Sequence, residues 1–366
     1  MSLVQGTVAP GYEKVRECFA AEMARLGELG AQLAVYRHGR QVVDLWTVDP
    51  AALTGLLSVT KGAAFLVVAL LVQDGVIDVN RSVRHYWPQF TPDVTVRELL
   101  GHRAGLIGVD GGFGPAELAD DRIIAERLAK QRPYWRRGAG YGYHALVIGA
   151  LTGEIVRRVT GRSLQQTYEQ RVRAPYDIDL YLGLPAELEP RFRPLRPPVG
   201  HDPGPDPASL TGIALNLHAD PPTDLTVFAN SRTVRAQGQA SVGGVGNARG
   251  IARLYAAALS GLDGGEPLLS PATTVDFGTA GGPAPDLLSG GSGDQFGLGF
   301  EAMTTPYPFL GPAAFGHYGA AGSLGFADPR SGVAYGYARD RLAQPHGGGA
   351  VENDQFVPAV IQAADT

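Results

Sequence analysis

Ser58 and Lys61 stand three residues apart, directly before the most apolar stretch of the chain, GAAFLVVALLV at 62–72. Residues three apart lie on one face of a helix, one turn from each other, so the lysine amine can reach the serine hydroxyl. Burial and the positive end of the helix dipole both disfavour the ammonium form, which leaves a neutral amine able to take the serine proton. The spacing therefore predicts a nucleophilic serine with a lysine as its base, and the backbone N–H of Ser58 is expected to face a developing oxyanion.

The rarity of lysine makes this pair more informative. The chain holds 31 basic residues, of which only Lys14, Lys61 and Lys130 are lysines. Arginine cannot take the same role because it stays protonated. In a lysine-rich chain, a serine with a lysine one turn later would more often be a helix cap with a solvated side chain.

Two further segments could complete a site around Ser58. Tyr143 directly precedes a predicted helix, and it could shuttle protons if Lys61 supplies a nearby cation, since a phenol ordinarily has a pKa of about 10. Residues 316–325 (GHYGAAGSLG) are rich in glycine, so their backbone can approach a substrate closely. The alternatives are structural: Tyr143 could be a core aromatic, and His317 an ordinary strand residue.

The periodicity of apolar residues places these segments on an α+β framework. Helical spacing predicts a helix over 12–28, an apolar run with no polar side predicts a central buried helix over 58–74, and further helices are predicted over 144–160, 246–260 and 352–364. Alternation predicts strands over 31–37, 41–47, 295–302, 313–318, 322–327 and 332–338. Because strands lie at both ends and helices in the middle, we expect an antiparallel sheet domain from 1–75 and 225–366, with a mainly helical domain, 76–224, inserted between its halves.

Several connecting segments also have expected roles. Thr95 and Glu98 form a capping box that opens a short helix. The irregular region 183–223, rich in proline and glycine, and the region 103–136 are expected to line the cleft and set specificity. His102 with Arg103 is expected to brace a loop.

Composition excludes several classes of function. The chain has 366 residues, a net charge of −5 and 44% hydrophobic residues, which argues against disorder and against nucleic-acid binding. The single cysteine, Cys18, permits no internal disulfide, and the eight histidines show no metal-ligand spacing, so no metal or cofactor is expected. Met1–Gly11 lacks a secretory pattern, and the apolar run at 62–72 is too short to span a bilayer, so we expect a cytoplasmic protein with no membrane partner. The oligomeric state stays open.

The order of the motifs resembles that of the serine β-lactamase-related superfamily and, within it, the class C-like esterases known as family VIII carboxylesterases. The resemblance extends from about Gly11 to the C-terminus and is carried by SVTK (58–61), LLGHRAGL (99–106), GYHAL (142–146), GNARGIARLY (246–255) and GHYGAAGSLGFADP (316–329). It implies the β-lactamase/transpeptidase-like fold, an antiparallel sheet flanked by helices plus a helical lobe, with the site in the cleft between them.

The resemblance also implies roles for individual residues. Ser58 matches the nucleophile, Lys61 its partner lysine, and Tyr143 the tyrosine of the second motif, with Tyr141 as an alternative register. In the third motif, His317, Tyr318 and Gly319 stand in the place of Lys-Thr-Gly and are expected to contact the substrate. Ala320, which follows them, is expected to supply the second oxyanion N–H beside that of Ser58.

Two departures from the family pattern bear on the substrate. Ala145 stands where true β-lactamases carry an asparagine that contacts the substrate amide. His317, mostly neutral at pH 7, stands where they carry a lysine that helps to bind the substrate carboxylate. Both changes favour a neutral ester over an anionic β-lactam.

We therefore expect a carboxylesterase that forms a covalent acyl-Ser58 intermediate on a small neutral ester. The alternative is a transacylase that passes the acyl group from an ester to an amine or alcohol. A β-lactamase and a non-catalytic binding relative are the remaining alternatives.

A rival site of the α/β-hydrolase type uses Ser323. AGSLG at 321–325 is close to a G-x-S-x-G elbow, and HGGG at 346–349 resembles an oxyanion loop. We do not favour it, because strands rather than a helix are predicted after Ser323, and because the oxyanion loop would have to precede the nucleophile.

Overall fold

The protein is described from a computed structural model, in which the described residues are 4–27, 30–200, 204–290, 295–343 and 349–366. Within these residues the strands are β1 (Gln5–Val8), β2 (Ala31–Arg37), β3 (Arg40–Trp46), β4 (Thr54–Gly55), β5 (Leu180–Tyr181), β6 (Val245–Gly246), β7 (Glu301–Ala302), β8 (Phe315–Tyr318), β9 (Leu324–Asp328) and β10 (Val333–Arg339). The α-helices, within the same ranges, are α1 (Glu13–Leu26), α2 (Thr60–Gln73), α3 (Val83–Tyr86), α4 (Val96–Leu100), α5 (Pro115–Leu118), α6 (Asp121–Leu128), α7 (Ile148–Thr160), α8 (Leu164–Tyr168), α9 (Leu210–Ala214), α10 (Leu225–Asn230), α11 (Arg232–Gln237), α12 (Ala248–Leu259), α13 (Pro271–Gly278) and α14 (Asn353–Ala364).

The main sheet joins the two ends of the chain. Its strands follow the order β1-β3-β2-β10-β9-β8-β7, and every neighbouring pair is antiparallel. The central pair runs from Val333 opposite Arg37 to Arg339 opposite Ala31. The hairpin between β2 and β3 turns at His38 and Gly39, both with positive φ, which is the turn geometry that matches strand twist. The fold class expected from the sequence is confirmed.

Helices cover both faces of this sheet. On one face α1 packs against α14. Their apolar side chains, Phe19 and Phe356 among them, form a core with sheet residues such as Val35. On the other face α12 crosses β10 and β2 so closely that a Cβ at Gly336 would lie 2.3 Å from the Ala248 carbonyl oxygen. The second core lies beyond this face and includes nearly all of α2, which explains why the sequence of that helix shows no polar side.

A small second sheet, ordered β4-β6-β5, lies next to the start of α2. β4 precedes the 3₁₀ turn Leu57–Val59, which leads into α2 at Thr60. This arrangement positions the predicted serine and lysine at the head of a buried helix.

Three predicted elements differ in extent from those observed. The predicted strand 295–302 is a strand only at β7, because the chain turns back at Gly299 (φ 96), where the Gly297 N–H bonds to the Phe300 carbonyl at 2.9 Å. The helix predicted from 144 begins at Ile148, since the preceding residues form turns. The irregular region 183–223 contains the short helix α9 and a 3₁₀ turn over Ala186–Arg191. The capping box of Thr95 and Glu98 is present as predicted.

The division into two domains near residues 75 and 225 stays a prediction. None of the helices in the described ranges is long and apolar enough to cross a membrane.

Candidate active site

The site begins at a strained turn before α2. Leu57 has φ 48, an unusual value for a leucine, and it directly precedes Ser58. Ser58 is 8% exposed, whereas Lys61 in the first turn of α2 is fully buried. The Lys61 Nζ lies 3.1 Å from Ser58 Oγ, so the one-turn contact predicted from the spacing is present.

Two backbone carbonyls complete the surroundings of the Lys61 amine. Its Nζ donates to the carbonyl oxygens of Ala145 at 2.7 Å and Ser241 at 3.0 Å. In the neutral amine these carbonyls take both N–H groups, so the lone pair faces Ser58 Oγ. Burial lowers the pKa of Lys61 to about 7, and the negative charge of Glu301 acts in the opposite direction. A neutral base aimed at the serine hydroxyl is therefore available near neutral pH.

The segments that carry these two carbonyls are held together by side chains. The Ser241 hydroxyl accepts from the Gly149 N–H at 2.8 Å, and the Gln239 amide accepts from the Ser241 N–H at 2.9 Å. The same amide of Gln239 donates to the Leu146 carbonyl at 2.6 Å. This network fixes the segment with Ser241 against the segment with Ala145, so both acceptors stay in place around Lys61.

Tyr143 lies over the same amine and lines the cavity above Ser58. Its ring centroid is 4.9 Å from Lys61 Nζ, and its ring stacks on Phe296 at 5.4 Å with planes 8° apart. Tyr141 is absent from the lining among the described residues, and its backbone is instead paired with Pro285 and Leu287. The geometry thus favours Tyr143 over Tyr141 for the second motif.

A buried pair of neutral histidines holds the segment that carries Tyr143. The His144 N–H donates to His102 Nδ1 at 3.1 Å, and the Leu106 N–H donates to His144 Nε2 at 3.1 Å. His144 therefore carries its proton on Nδ1, which donates to the Gly142 carbonyl at 2.7 Å. Burial lowers the pKa of both rings, to about 4 for His144, so they remain uncharged. His102 thus braces the Tyr143 segment by its ring rather than acting with Arg103.

The glycine-rich segment passes close beneath the start of α2. A Cβ at Gly319 would lie 2.4 Å from the Leu56 carbonyl oxygen, so only glycine permits this approach. Ala320 follows and lines the cavity beside Ser58. Within the part of the chain that the structure describes, the backbone N–H groups of Ser58 and Ala320 donate to no other residue.

His317 does not face the cavity. Its ring is fully buried, with Nδ1 3.1 Å from Glu301 Oε1 and Nε2 3.1 Å from the Gly299 carbonyl oxygen. The other oxygen of Glu301 accepts from the Tyr318 N–H at 3.0 Å. Direct contact of His317 with a substrate would require these bonds to break, whereas Tyr318, Gly319 and Glu301 line the cavity.

Glu301 was missed from the sequence. It is one of 36 acidic residues and lies outside the recognisable motifs. Its partner His317 is 16 residues away and reaches it through the pairing of β7 with β8, in which Glu301 stands opposite Gly316. Because Glu301 is joined to His317 only by this pairing, no local sequence pattern indicates it.

The cavity above Ser58 has a volume of about 470 Å³. Its lining is mostly apolar: Leu57, Ser58, Tyr143, Ala145, Leu146, Thr211, Ala214, Leu215, Leu225, Val242, Leu288, Glu301, Pro306, Tyr307, Tyr318, Gly319, Ala320, Gly349, Ala350, Val351 and Asp354. Three lining residues come from the region 183–223, as expected. The expectation for the region 103–136 is wrong, since none of its residues is in this lining; Leu106, Ile124 and Leu128 are instead packed in the core.

The rival serine has no comparable surroundings. Ser323 is fully buried, lies directly before β9 and does not line the cavity. Of the glycine-rich stretch assigned to its oxyanion loop, residues 346–348 lie outside the described residues.

A serine and lysine at the head of a buried helix, beside strand β8 of an antiparallel sheet, define a protein of the serine β-lactamase type. The chain belongs to the Beta-lactamase family, whose model matches residues 15–348.

Solved structures with the same fold include EstA from Arthrobacter nitroguajacolicus, with 40% identity, a TM-score of 0.91 and coverage of 98% of both chains. A family VIII carboxylesterase has 33% identity and a TM-score of 0.87, with 98% of this chain and 99% of that chain covered. Among curated proteins, the esterase/beta-lactamase LipL of Mycobacterium tuberculosis is 30% identical over 93% of this chain and 84% of its own length.

Proposed function

We propose that this protein is a serine carboxylesterase in which Ser58 attacks the ester and Lys61 acts as the base. The observation that carries the proposal is the buried Lys61 amine, which two carbonyls orient so that its lone pair meets Ser58 Oγ at 3.1 Å. The similarity to a family VIII carboxylesterase and to an esterase/beta-lactamase supports the same reaction class.

Acylation follows from this geometry. Neutral Lys61 takes the proton as Ser58 Oγ bonds to the carbonyl carbon, and the oxyanion accepts from the N–H groups of Ser58 and Ala320. When the intermediate collapses, the C–O bond to the alcohol breaks, and the alcohol leaves with the proton, delivered by Tyr143 and replaced from Lys61. Water then attacks acyl-Ser58, gives its proton to the same pair, and releases the carboxylic acid and the free serine.

The lining of the cavity favours a substrate without negative charge. Among the described residues, the lining holds no lysine or arginine, and its titratable acids are Glu301 and Asp354. Ala145 presents a methyl group at the position where the β-lactamases carry an asparagine that contacts the substrate amide. We therefore propose esters with an apolar part, and not anionic β-lactams, as the substrates.

Intact-mass detection of the acyl-enzyme tests this proposal. Wild-type protein with p-nitrophenyl butyrate should gain one butyryl group and release p-nitrophenol, and Ser58→Ala should do neither. Stoichiometric acylation of the Ser58→Ala protein would refute the assignment of the nucleophile. Added amine that diverts the product to an amide would show acyl transfer in competition with hydrolysis.

A matched pair of tyrosine variants tests the second motif. Tyr143→Phe should lower kcat by about 10²-fold or more, since general acid–base catalysis contributes about that much, while Tyr141→Phe should keep most of the activity. The reverse order of the two variants would reassign the proton shuttle to Tyr141. Thermal unfolding of both variants separates loss of catalysis from loss of fold.

A further inference from the structure

The lining of the cavity differs in character along the chain. The part contributed by residues 145–288 is uncharged and mostly aliphatic, with Leu146, Leu215 and Leu288 among its members. The part contributed by residues 301–354 carries two carboxylates and two phenols. A ligand that fills the whole cavity would therefore have an apolar part and a polar or positively charged part that is complementary to the carboxylates.

The two carboxylates are not equivalent. Glu301 contacts His317 through one oxygen and accepts the Tyr318 N–H through the other, so both of its carboxylate oxygens already have partners within the protein. Asp354, in the first turn of α14, is exposed and makes no ion pair and no side-chain hydrogen bond with any other described residue.

Two tyrosines accompany Asp354 in the lining. The ring centroids of Tyr307 and Tyr318 are 6.4 Å apart, with planes inclined by 39°. Burial is the main cause that raises the pKa of both phenols. The interaction between the two hydroxyls lowers the pKa of Tyr307 and raises that of Tyr318, and the charge of Asp354 raises both, so both phenols stay uncharged. Burial and Glu352 also raise the pKa of Asp354, which means that a cation placed here would relieve an unfavourable charge.

We propose that Asp354, Tyr307 and Tyr318 form a subsite for an ammonium group, which the preferred ester carries at a distance from its scissile carbonyl. The carboxylate supplies the charge, and the aromatic rings attract a cation through their quadrupoles. The aliphatic residues of 145–288 receive the hydrocarbon part of the same substrate. This inference rests on the proposed esterase function and adds its substrate class.

Esters that differ only in charge test the subsite. Butyrylcholine and 3,3-dimethylbutyl butyrate have the same shape, with nitrogen replaced by carbon, and place the charge in the alcohol. Phenyl 4-(trimethylammonio)butyrate and phenyl 5,5-dimethylhexanoate place it in the acyl group. In at least one pair, we expect kcat/KM to favour the cation by about three- to thirtyfold, the range that one cation–aromatic and carboxylate contact provides.

Asp354→Asn should remove this preference, mainly by lowering kcat/KM for the cationic ester of the pair, and Asp354→Lys should reverse it. Asp365→Asn is the matched control, since Asp365 follows the same helix, lies outside the cavity lining and pairs with Arg330. Asp354 also interacts favourably with the dipole at the start of α14. Loss of this interaction would change the stability of the enzyme, which affects both esters equally and leaves the ratio of their kcat/KM values unchanged.

Binding to the inactive Ser58→Ala protein separates this inference from the esterase proposal. Calorimetry should show that pentyltrimethylammonium binds the Ser58→Ala protein and that Asp354→Asn weakens the binding at least threefold. Equal kcat/KM within both ester pairs, or a preference that persists in Asp354→Asn, would overturn the subsite and leave the esterase intact. Cation binding without any ester hydrolysis would overturn the esterase and leave the subsite.

Discussion

At the residue scale, the proposed chemistry depends on the protonation state of the Lys61 amine. The Lys61 amine has three neighbours, of which the carbonyls of Ala145 and Ser241 can only accept. Ser58 Oγ can also donate, so it is the neighbour that gives its proton when the amine is neutral. Burial makes this state accessible near pH 7, because it lowers the pKa of Lys61 to about 7. The rate of acylation should therefore rise with pH around that value.

Substituting Glu301 should move this rise. Burial lowers the pKa of Lys61 and the charge of Glu301 raises it, so Glu301→Gln should lower it further. The acid limb of kcat/KM for p-nitrophenyl butyrate should then shift to lower pH, by up to about one unit. The measurement is a pH–rate profile from pH 5 to 9, with Glu266→Gln, an exposed residue, as control. An acid limb that stays in place or moves to higher pH would contradict this role of Glu301.

At the element scale, the contact between the turn at Leu57 and the end of β8 assembles the site. The turn at Leu57 presents Ser58, and the end of β8 brings Gly319 and Ala320 against that turn. A Cβ at Gly319 would collide with the Leu56 carbonyl oxygen at 2.4 Å. The distance between the N–H groups of Ser58 and Ala320, the proposed oxyanion donors, thus depends on a position without a side chain.

Gly319→Ala should therefore separate the strand from the turn and pull the Ala320 N–H out of position. We expect kcat to fall by about 10²-fold, as when one oxyanion donor is lost, with a smaller change in KM. Gly282→Ala is the matched control, because a Cβ there meets nothing within 4 Å. Steady-state kinetics with p-nitrophenyl butyrate measures both variants. Unchanged kcat in Gly319→Ala would exclude Ala320 as a donor.

The elements also show what the sequence could predict. The buried helix with Lys61 follows from its continuous apolar run, and β3 follows from its alternation; both patterns are local information. The turn at Gly299 was missed, because it depends on the Phe65 ring, whose nearest atom lies 2.5 Å from where a Cβ would be. Glu301 was missed for a similar reason, since only the pairing of β7 with β8 brings it to His317. Contacts between distant segments leave no periodic pattern.

At the scale of the whole molecule, the site lies where the two cores meet. Ser58 and Lys61 come from the turn and helix that belong to one core, whereas Tyr318 and Asp354 come from strand β8 and helix α14, which pack on the other. The start of α14 is fastened to the sheet by a buried pair, Arg339 with Glu352 at 2.6 Å. The Lys61 amine is fully buried between these parts of the fold, so its protonation is linked to folding.

This linkage predicts how stability changes with pH. Lys61 loses its proton at about pH 7 in the folded protein but, with an ordinary pKa of 10.5, keeps it in the unfolded chain. Between these values the unfolded state binds one more proton, so the free energy of unfolding rises with pH by about 1.4 kcal/mol per unit from this residue alone. The Lys61→Met protein lacks this pH-dependent contribution to the free energy of unfolding. The stability of wild type relative to Lys61→Met should therefore increase by about 2–3 kcal/mol from pH 7.5 to 9.5 and level off below pH 7.

Urea unfolding at several pH values measures this difference, and the contributions of all other groups cancel between the two proteins to first order. Lys130→Met serves as control, because Lys130 is exposed, and its difference from wild type should not vary with pH. A flat difference for Lys61→Met would show that Lys61 keeps its proton in the folded protein. In that case the amine would reach Ser58 as a cation, and the base would have to be Tyr143.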